Sequence, residues 1–371
     1  MKIEPFVMER MQSEWENRVA HNLSESGVHP MTVGELLGPE GAEVLGDERL
    51  LYVQSNGSEA LRRAIASLYP GAGPDNVVVA NGTAEANYIS AWRLVEPGDE
   101  VVMMLPNYMQ TWGVIRAWGA RIVPWSLREE LGWAPDLDEL RRAVTPRTRL
   151  IVVCNPNNPT GSILSPDAMR EIAAVAARAG AWILADEVYR GAERDGVETA
   201  TFWGMHERLL VTCGLSKAYG LPGLRIGWVV GPTDLVAQLW GRKDYLTISP
   251  GALSDVLARK ALAHGTRPRI LERTRSILRR NYPLLESWVN ERQGVRLVPP
   301  RAGAIAYLRY PWRVNSTALV ERLRDEHGVL IVPGDHFGMD GFLRVGFGNE
   351  PDDLRAGLQR LAGPLDALSL S

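Results

Sequence analysis

SKAYGLPGLRIGW, residues 216–228, sets one lysine directly behind the apolar run RLLVTCG (208–214), with a serine before it and Arg225 eight positions after it. A lysine held at the end of a buried strand is the residue type that forms a Schiff base with an aldehyde cofactor. The serine hydroxyl, the glycine-rich backbone and the guanidinium around it suit a phosphate group. The same string also fits a plain strand and turn carrying a surface lysine, so its meaning depends on what the rest of the chain places beside it.

Working outward, RLLVTCG is one of seven short apolar runs. The others are DNVVVAN (75–81), DEVVMML (99–105), ARIVPW (120–125), RLIVVCN (149–155), AWILADE (181–187) and RIGWVVG (225–231). Helix-like segments lie between them: AEANYISAWRLV (84–95), TWGVIRAWG (111–119) and PDAMREIAAVAARAG (166–180). The last opens with proline and closes with glycine, as helix boundaries prefer. Strands buried on both faces and separated by helices imply an α/β layer with a mostly parallel seven-stranded sheet. Ligands of such sheets collect beyond the carboxyl ends of the strands. Gly82, Thr83, Tyr108, Asn158, Asp186 and Lys217 each follow a strand run.

From about residue 252 the pattern changes to a long helical region, then GVRLVP, AIAYLRY, GVLIVP and FLRVGF, which reads as a smaller α+β unit. The expected division is an N-terminal arm at 1–45 that joins the small domain, a large domain at 46–255 and a small C-terminal domain at 256–371. The arm carries few periodic apolar positions.

Composition excludes several classes. The 371 residues carry 41 Lys+Arg against 44 Asp+Glu, a net charge of −3, which favours neither nucleic acid nor an anionic membrane. No apolar run approaches the ~20 residues of a membrane helix. The charged N-terminus lacks the apolar core of a signal peptide. Two cysteines, Cys154 and Cys213, both end apolar runs and read as buried, reduced thiols of a cytoplasmic protein. Six scattered histidines give no metal-ligand spacing, so no metal is expected.

Several residues carry candidate chemistry. Asp186, at the end of a buried run, needs a partner; facing a pyridine nitrogen it would keep that nitrogen protonated, and a helix cap or salt bridge is the alternative. Tyr189 could donate to a ring oxygen. NPNNPTG (155–161) would break the chain before a helix, or place the Asn158 amide on that oxygen. NGTAEA (81–86) puts Gly82, Thr83 and Ala84 at a helix start, where backbone N–H groups can hold a phosphate. Tyr108 could lie on a ring face or pack in the core. Arg344, in the apolar FLRVGF, could capture a substrate carboxylate or form a structural ion pair.

Taken in order, the Tyr52-x4-Gly57 spacing, SEALRRAIA, GTAEA, PNY, NNPTG, ADEVY, SKAYGLPGLRIGW and FLRVGF resemble the fold-type I, pyridoxal-5′-phosphate-dependent aminotransferases of class I/II, over nearly the whole chain. The resemblance implies that Lys217 carries the internal aldimine, and that Gly82, Thr83, Ala84, Ser216 and Arg225 hold the phosphate. It implies Tyr108 stacked on the ring, Asn158, Asp186 and Tyr189 in contact with it, and Arg344 on the α-carboxylate. It further implies a homodimer with Tyr52 reaching across from the second subunit.

The expected activity is that of an aminotransferase-type enzyme on an L-α-amino acid, through a quinonoid. The arm suggests an alternative. HNLSESGVHPMT (21–32) is similar to the SGVH segment of capreomycidine synthases, which cyclise a hydroxylated arginine, and more loosely to the arm of arginine oxidases. On that reading Glu25, Gly27 and His29 belong to the substrate site: Glu25 pairs with a guanidinium and His29 moves a proton. A helix cap and a structural histidine are the plainer alternatives.

Overall fold

The computed structural model describes residues 2–38 and 41–368. All seven apolar runs form strands of one large sheet. It holds β2 (Val77–Ala80), β3 (Glu100–Leu105), β4 (Arg121–Arg128), β5 (Ala134–Pro135), β6 (Thr148–Cys154), β7 (Trp182–Asp186), β8 (Leu209–Gly214) and β9 (Gly227–Val230), and β1 (His21–Asn22) precedes it in the arm. The order is β2-β9-β8-β7-β6-β3-β4-β5. Neighbours from β8 to β4 pair in parallel, and β9 runs against both its partners. The eighth strand, β5, corrects the expected count of seven. It spans two residues antiparallel to β4, too short to leave a periodic signal.

Burial explains why these runs are strands. β2 and β8 are buried throughout. Alternate residues of β2 feed separate apolar clusters, Val77 and Val79 on one face and Val78 and Ala80 on the other. That is the period-two signature of a sheet covered on both sides. The helices between strands end as their sequences foretell. In Pro166–Ala179, Ser165 Oγ accepts the Ala168 amide at 3.1 Å, and Gly180 closes the helix at φ +65°.

A second sheet uses the C-terminal runs. β10 (Arg296–Leu297), β11 (Ile305–Arg309), β12 (Val329–Leu330), β13 (Val332–Pro333) and β14 (Phe342–Gly346) follow in the chain, and β10-β11-β14-β13 form an antiparallel sheet. GVLIVP, one run in sequence, is split: β12 leaves that sheet and pairs in parallel with β1 of the arm. The arm also forms a helix over Val7–Trp15, and the chain closes with a helix over Pro351–Leu368; neither stands out in the sequence pattern. Gly357 in the closing helix gives way to the arm, because a Cβ there would lie 2.9 Å from Leu23 Cδ1. Among the described residues no helix is long and apolar enough to cross a membrane.

Candidate active site

The turns that leave β3, β6, β7 and β8, the helix after β2, strand β14 and the arm enclose a cavity of about 310 Å³. Thr83, Ala84, Tyr108, Asn158, Asp186, Tyr189, Ser216, Lys217, Arg225, Arg344 and Glu25 all line it. The structure therefore brings together residues that stand up to 319 positions apart (344 − 25).

One end has the chemistry of an anion site. Gly82, at φ +84°, turns the chain into the helix Thr83–Leu94. A Cβ on Gly82 would stand 2.2 Å from Arg225 Nη2, so only glycine lets the guanidinium approach. Gly227 is fixed for a similar reason, since its Cβ would fall 2.4 Å from Thr83 N. Arg225 itself adopts φ +50°, uncommon for a side-chain-bearing residue, and Nη1 donates to Pro222 O at 2.9 Å and to Ser216 Oγ at 3.4 Å. Thr83 Oγ1 is buried without a hydrogen-bond partner. An unpartnered hydroxyl, a helix N-terminus and a guanidinium converging on one place fit a phosphate.

The middle of the cavity suits a ring. Asp186 closes β7; Oδ2 accepts from Asn87 Nδ2 at 2.9 Å and Oδ1 from the Val188 amide at 3.0 Å. Burial raises its pKa, while these two donors oppose the rise. Tyr108 donates its hydroxyl to Glu9 Oε1 at 2.9 Å and meets Phe6 edge-on. Burial pushes the Tyr189 phenol up to about 12, so it remains a donor at neutral pH. The NPNNPTG turn holds cis bonds at Asn155–Pro156 and Asn158–Pro159.

Lys217 pairs with Glu25, Nζ to Oε1, at 2.6 Å. The same carboxylate oxygen accepts the Ser26 and Gly27 amides at 2.8 and 3.0 Å. Burial, the largest influence, would lower the lysine's pKa, but the Glu25 charge, Tyr189 and the Glu25 hydrogen bond together outweigh it and the net shift is upward. For Glu25 burial acts upward, and Lys217 with the two amides overcomes it, holding the carboxyl at about 2.

Arg344 is 2% exposed on β14. It donates to Asn158 Oδ1 at 3.0 Å and Ser24 O at 2.6 Å, and its Nε is unpartnered. Among the described residues no carboxylate pairs with it, so the structural ion pair weighed for it is absent. A buried guanidinium held only by neutral acceptors suits an incoming carboxylate.

Three expected residues stand elsewhere. His29 does not line the cavity: Arg273 Nη2 lies 3.0 Å from its Nδ1 and Glu350 Oε1 3.3 Å from its Nε2. In this structure it ties the arm to the helix Arg267–Asn290 and to Glu350. Gly27 backs onto the lysine, where an added Cβ would come within 3.6 Å of Lys217 Cδ. Tyr52 is 84% exposed and lines no part of this chain's cavity.

Other lining residues escaped sequence reasoning. Met8, Gln12 and Glu16 recur every four positions on the arm helix and the turn after it, with Glu9 beside them. That spacing was readable, but it falls in a charged stretch without an apolar stripe. Asn87 reaches Asp186 from the helix Thr83–Leu94, a contact that no linear motif encodes.

With this geometry in view, comparison with known proteins is informative. Residues 33–361 match the family model for aminotransferase class I and II. The chain belongs to this family. It is 39% identical to a capreomycidine synthase of Streptomyces vinaceus, over 93% of this chain and 89% of that one. It is 32% identical to an arginine–pyruvate transaminase of Pseudomonas aeruginosa, over 84% and 81%. A crystal structure of a pyridoxal-phosphate-dependent aminotransferase from Streptococcus suis superposes with a TM-score of 0.93 at 32% identity, covering 99% of both chains. The fold is that of the fold-type I enzymes, and the cofactor of this family member is pyridoxal phosphate. The buried, unpartnered Thr83 hydroxyl and the glycine-lined approach to Arg225 fit its phosphate.

Proposed function

We propose that this enzyme acts on an L-α-amino acid with a cationic, guanidinium-like side chain. The observation that carries this reading is a wall of three carboxylates, Glu9, Glu16 and Glu25, lining the cavity that also holds Arg344 and Lys217. Burial raises the pKa of Glu16, and the charges of Glu25 and Glu9 raise it further. A cation seated among them relieves that repulsion, whereas a neutral side chain leaves it in place. That the Pseudomonas relative is an arginine–pyruvate transaminase agrees with this chemistry.

Each residue has a task in this reading. Gly82, Thr83, Ala84, Ser216 and Arg225 hold the cofactor phosphate. Asn158 and Tyr189 would donate to the ring oxygen, Asp186 would meet the ring nitrogen, and Tyr108 would cover the ring. Bound pyridoxal phosphate supplies an electron sink for charge released at the substrate Cα. Lys217 would hold the cofactor aldehyde and, once the substrate amine displaces it, its freed amine would take and return the proton at that carbon, while Arg344 would orient the carboxylate. The arm helix, held to Tyr108 through Glu9, screens the cavity from water.

Replacing Glu9 and Glu16 together with glutamine should lower kcat/KM for arginine about 30-fold while changing that for leucine less than about threefold. Equal losses on both substrates would refute the side-chain assignment.

A second reading, a cyclase, lyase or oxidase of the same fold, has its own support. Glu25 fixed against Lys217 gives an acid–amine pair able to shuttle protons at more than one substrate carbon, and the chain is 39% identical to a capreomycidine synthase. Mass spectrometry of products from arginine and its hydroxylated derivatives, with and without a 2-oxo acid and oxygen, separates these outcomes.

The assembly we propose is a homodimer in which Tyr52 reaches the partner's cavity, with residues 46–255 and 256–371 as the large and small domains and the arm joining the latter. Leu50, Leu51 and Tyr52 are 80%, 56% and 84% exposed. Trp240 Nε1 bonds Ser55 Oγ and so sets their segment beside the helix that leads to the exposed Tyr245, Leu246 and Ile248. Apolar exposure of this kind marks a contact surface. Sedimentation at twice 41.0 kDa is expected, and a monomer would refute it. A cytoplasmic setting is proposed from the two buried, unpaired thiols.

A further inference from the structure

Asp186 is supported by a chain of two buried polar side chains. Asn87 donates from Nδ2 to Asp186 Oδ2 at 2.9 Å, and its Oδ1 accepts the Thr212 hydroxyl at 2.7 Å. Asn87 and Thr212 are 3% and 0% exposed, so water does not compete. Thr212 also stands directly opposite Asp186 in the β7–β8 pairing. An amide can present either end to a neighbour and a threonine hydroxyl can meet either end, so the ionised carboxylate, which only accepts, is what draws Nδ2 to Asp186 and leaves Oδ1 for the Thr212 proton. Were the amide reversed, its oxygen would face a carboxylate oxygen, which is repulsive unless Asp186 is protonated. Amide orientation and the charge on Asp186 are therefore linked.

We propose that Asn87, held in place by Thr212, is a positioning residue that keeps Asp186 ionised and aimed into the cavity, and thereby sets the protonation of the pyridine nitrogen of bound pyridoxal phosphate. The inference rests on the assignment of Asp186 to that nitrogen. Without Asn87, the Val188 amide is the one hydrogen-bond donor left to the carboxylate among the described residues. Burial already drives the Asp186 pKa upward, against Asn87 and Val188. The other titratable groups in its field do not replace the amide. Cys154, Cys213 and Tyr108 are neutral thiols and a phenol, each raised first by burial. Glu187 turns away, accepting from the Thr201 hydroxyl at 3.0 Å and the Phe202 amide at 2.7 Å. Lys217 is engaged by Glu25.

The test is the pH titration of the visible absorbance of the holoenzyme. Asn87→Leu keeps the side-chain size and removes the donor. Loss of the ring's positive charge makes the lysine-linked cofactor harder to deprotonate, so the midpoint should rise by about one pH unit or more. Thr212→Val should move it in the same direction by less. Reconstitution of Asn87→Leu with N-methylpyridoxal phosphate, whose ring nitrogen carries a fixed charge, should restore the wild-type midpoint. In parallel kcat should fall at least about tenfold with KM within about threefold. A purely structural role would lower cofactor occupancy without moving the midpoint. The inference is overturned if Asp186→Asn shifts the midpoint and Asn87→Leu does not. Should Asn87→Leu fail to fold, an unmoved midpoint in Thr212→Val overturns it instead. If Asp186→Asn itself leaves the midpoint in place, the assignment of Asp186 fails, and this inference with it.

Discussion

The cavity has two walls of different origin. The inner wall, from Thr83 round to Lys217, is built from turns at the carboxyl ends of strands that the sheet fixes on both sides. The outer wall is the arm, a nine-residue helix and the stretch from Glu16 to Ser26, held by the β1–β12 pairing, by Gly346 N to Leu23 O and by Tyr108 to Glu9. One wall sets a single carboxylate, Asp186, among neutral donors and cations; the other carries Glu9, Glu16 and Glu25. On the proposed reading, cofactor chemistry sits on the sheet and selection of the substrate side chain on the arm, so the second can change without disturbing the first.

Substitutions on each wall test this separation. Lys217→Ala should cost about 10³–10⁴-fold or more in turnover, with the protein still folded. Borohydride labelling should disappear from the peptide that contains position 217; a retained label would move the covalent link elsewhere. Arg344→Lys, between the walls, keeps the charge and loses the planar fork. KM for the amino acid should rise about 10–100-fold in steady-state assays, with cofactor affinity unaltered. Gly82→Ala should weaken cofactor binding about tenfold by equilibrium titration, because alanine must take φ +84° and displace the Arg225 guanidinium. A normal affinity would deny Gly82 its place in the phosphate cradle.

The subtlest effect concerns the Glu25–Lys217 pair that bridges the walls. Glu25 is held at about 2 against an ordinary value of 4.5, so its stabilising contribution is present above pH 4.5 and is lost as pH falls toward 2. Lys217 is raised above 10.5, so its contribution is present below that pH and lost as pH rises through the shifted value. Between those limits Glu25→Gln removes the pair and leaves burial to lower the lysine's pKa. The cofactor-free variant should react about tenfold faster than wild type with an amine-specific reagent at pH 8. An unchanged rate would mean that Glu25 does not control the lysine's charge.

Legibility followed the same division. Strand ends announce themselves because an apolar run stops at a residue that carries chemistry, as at Asp186 and Lys217. His29 shows what sequence adjacency leaves open: SGVH follows Glu25 directly, yet the ring turns to Arg273 and Glu350. Glu9 and Glu16 were hidden because helical spacing without apolar contrast reads as solvated surface. The closing helix was obscured by Gly357, Gly363 and Pro364, and the first of these is explained by the packing of Leu23.

The sequence alone determined the parallel layer and its ligand edge, because burial on both faces demands unbroken apolar runs and the turns beyond them are free to carry polar groups. Only the tertiary structure decided which distant side chains share a proton or a charge: Asn87 with Asp186, Glu25 with Lys217, Asn158 with Arg344. Such pairs depend on distances of about 3 Å between elements that sequence order does not place side by side.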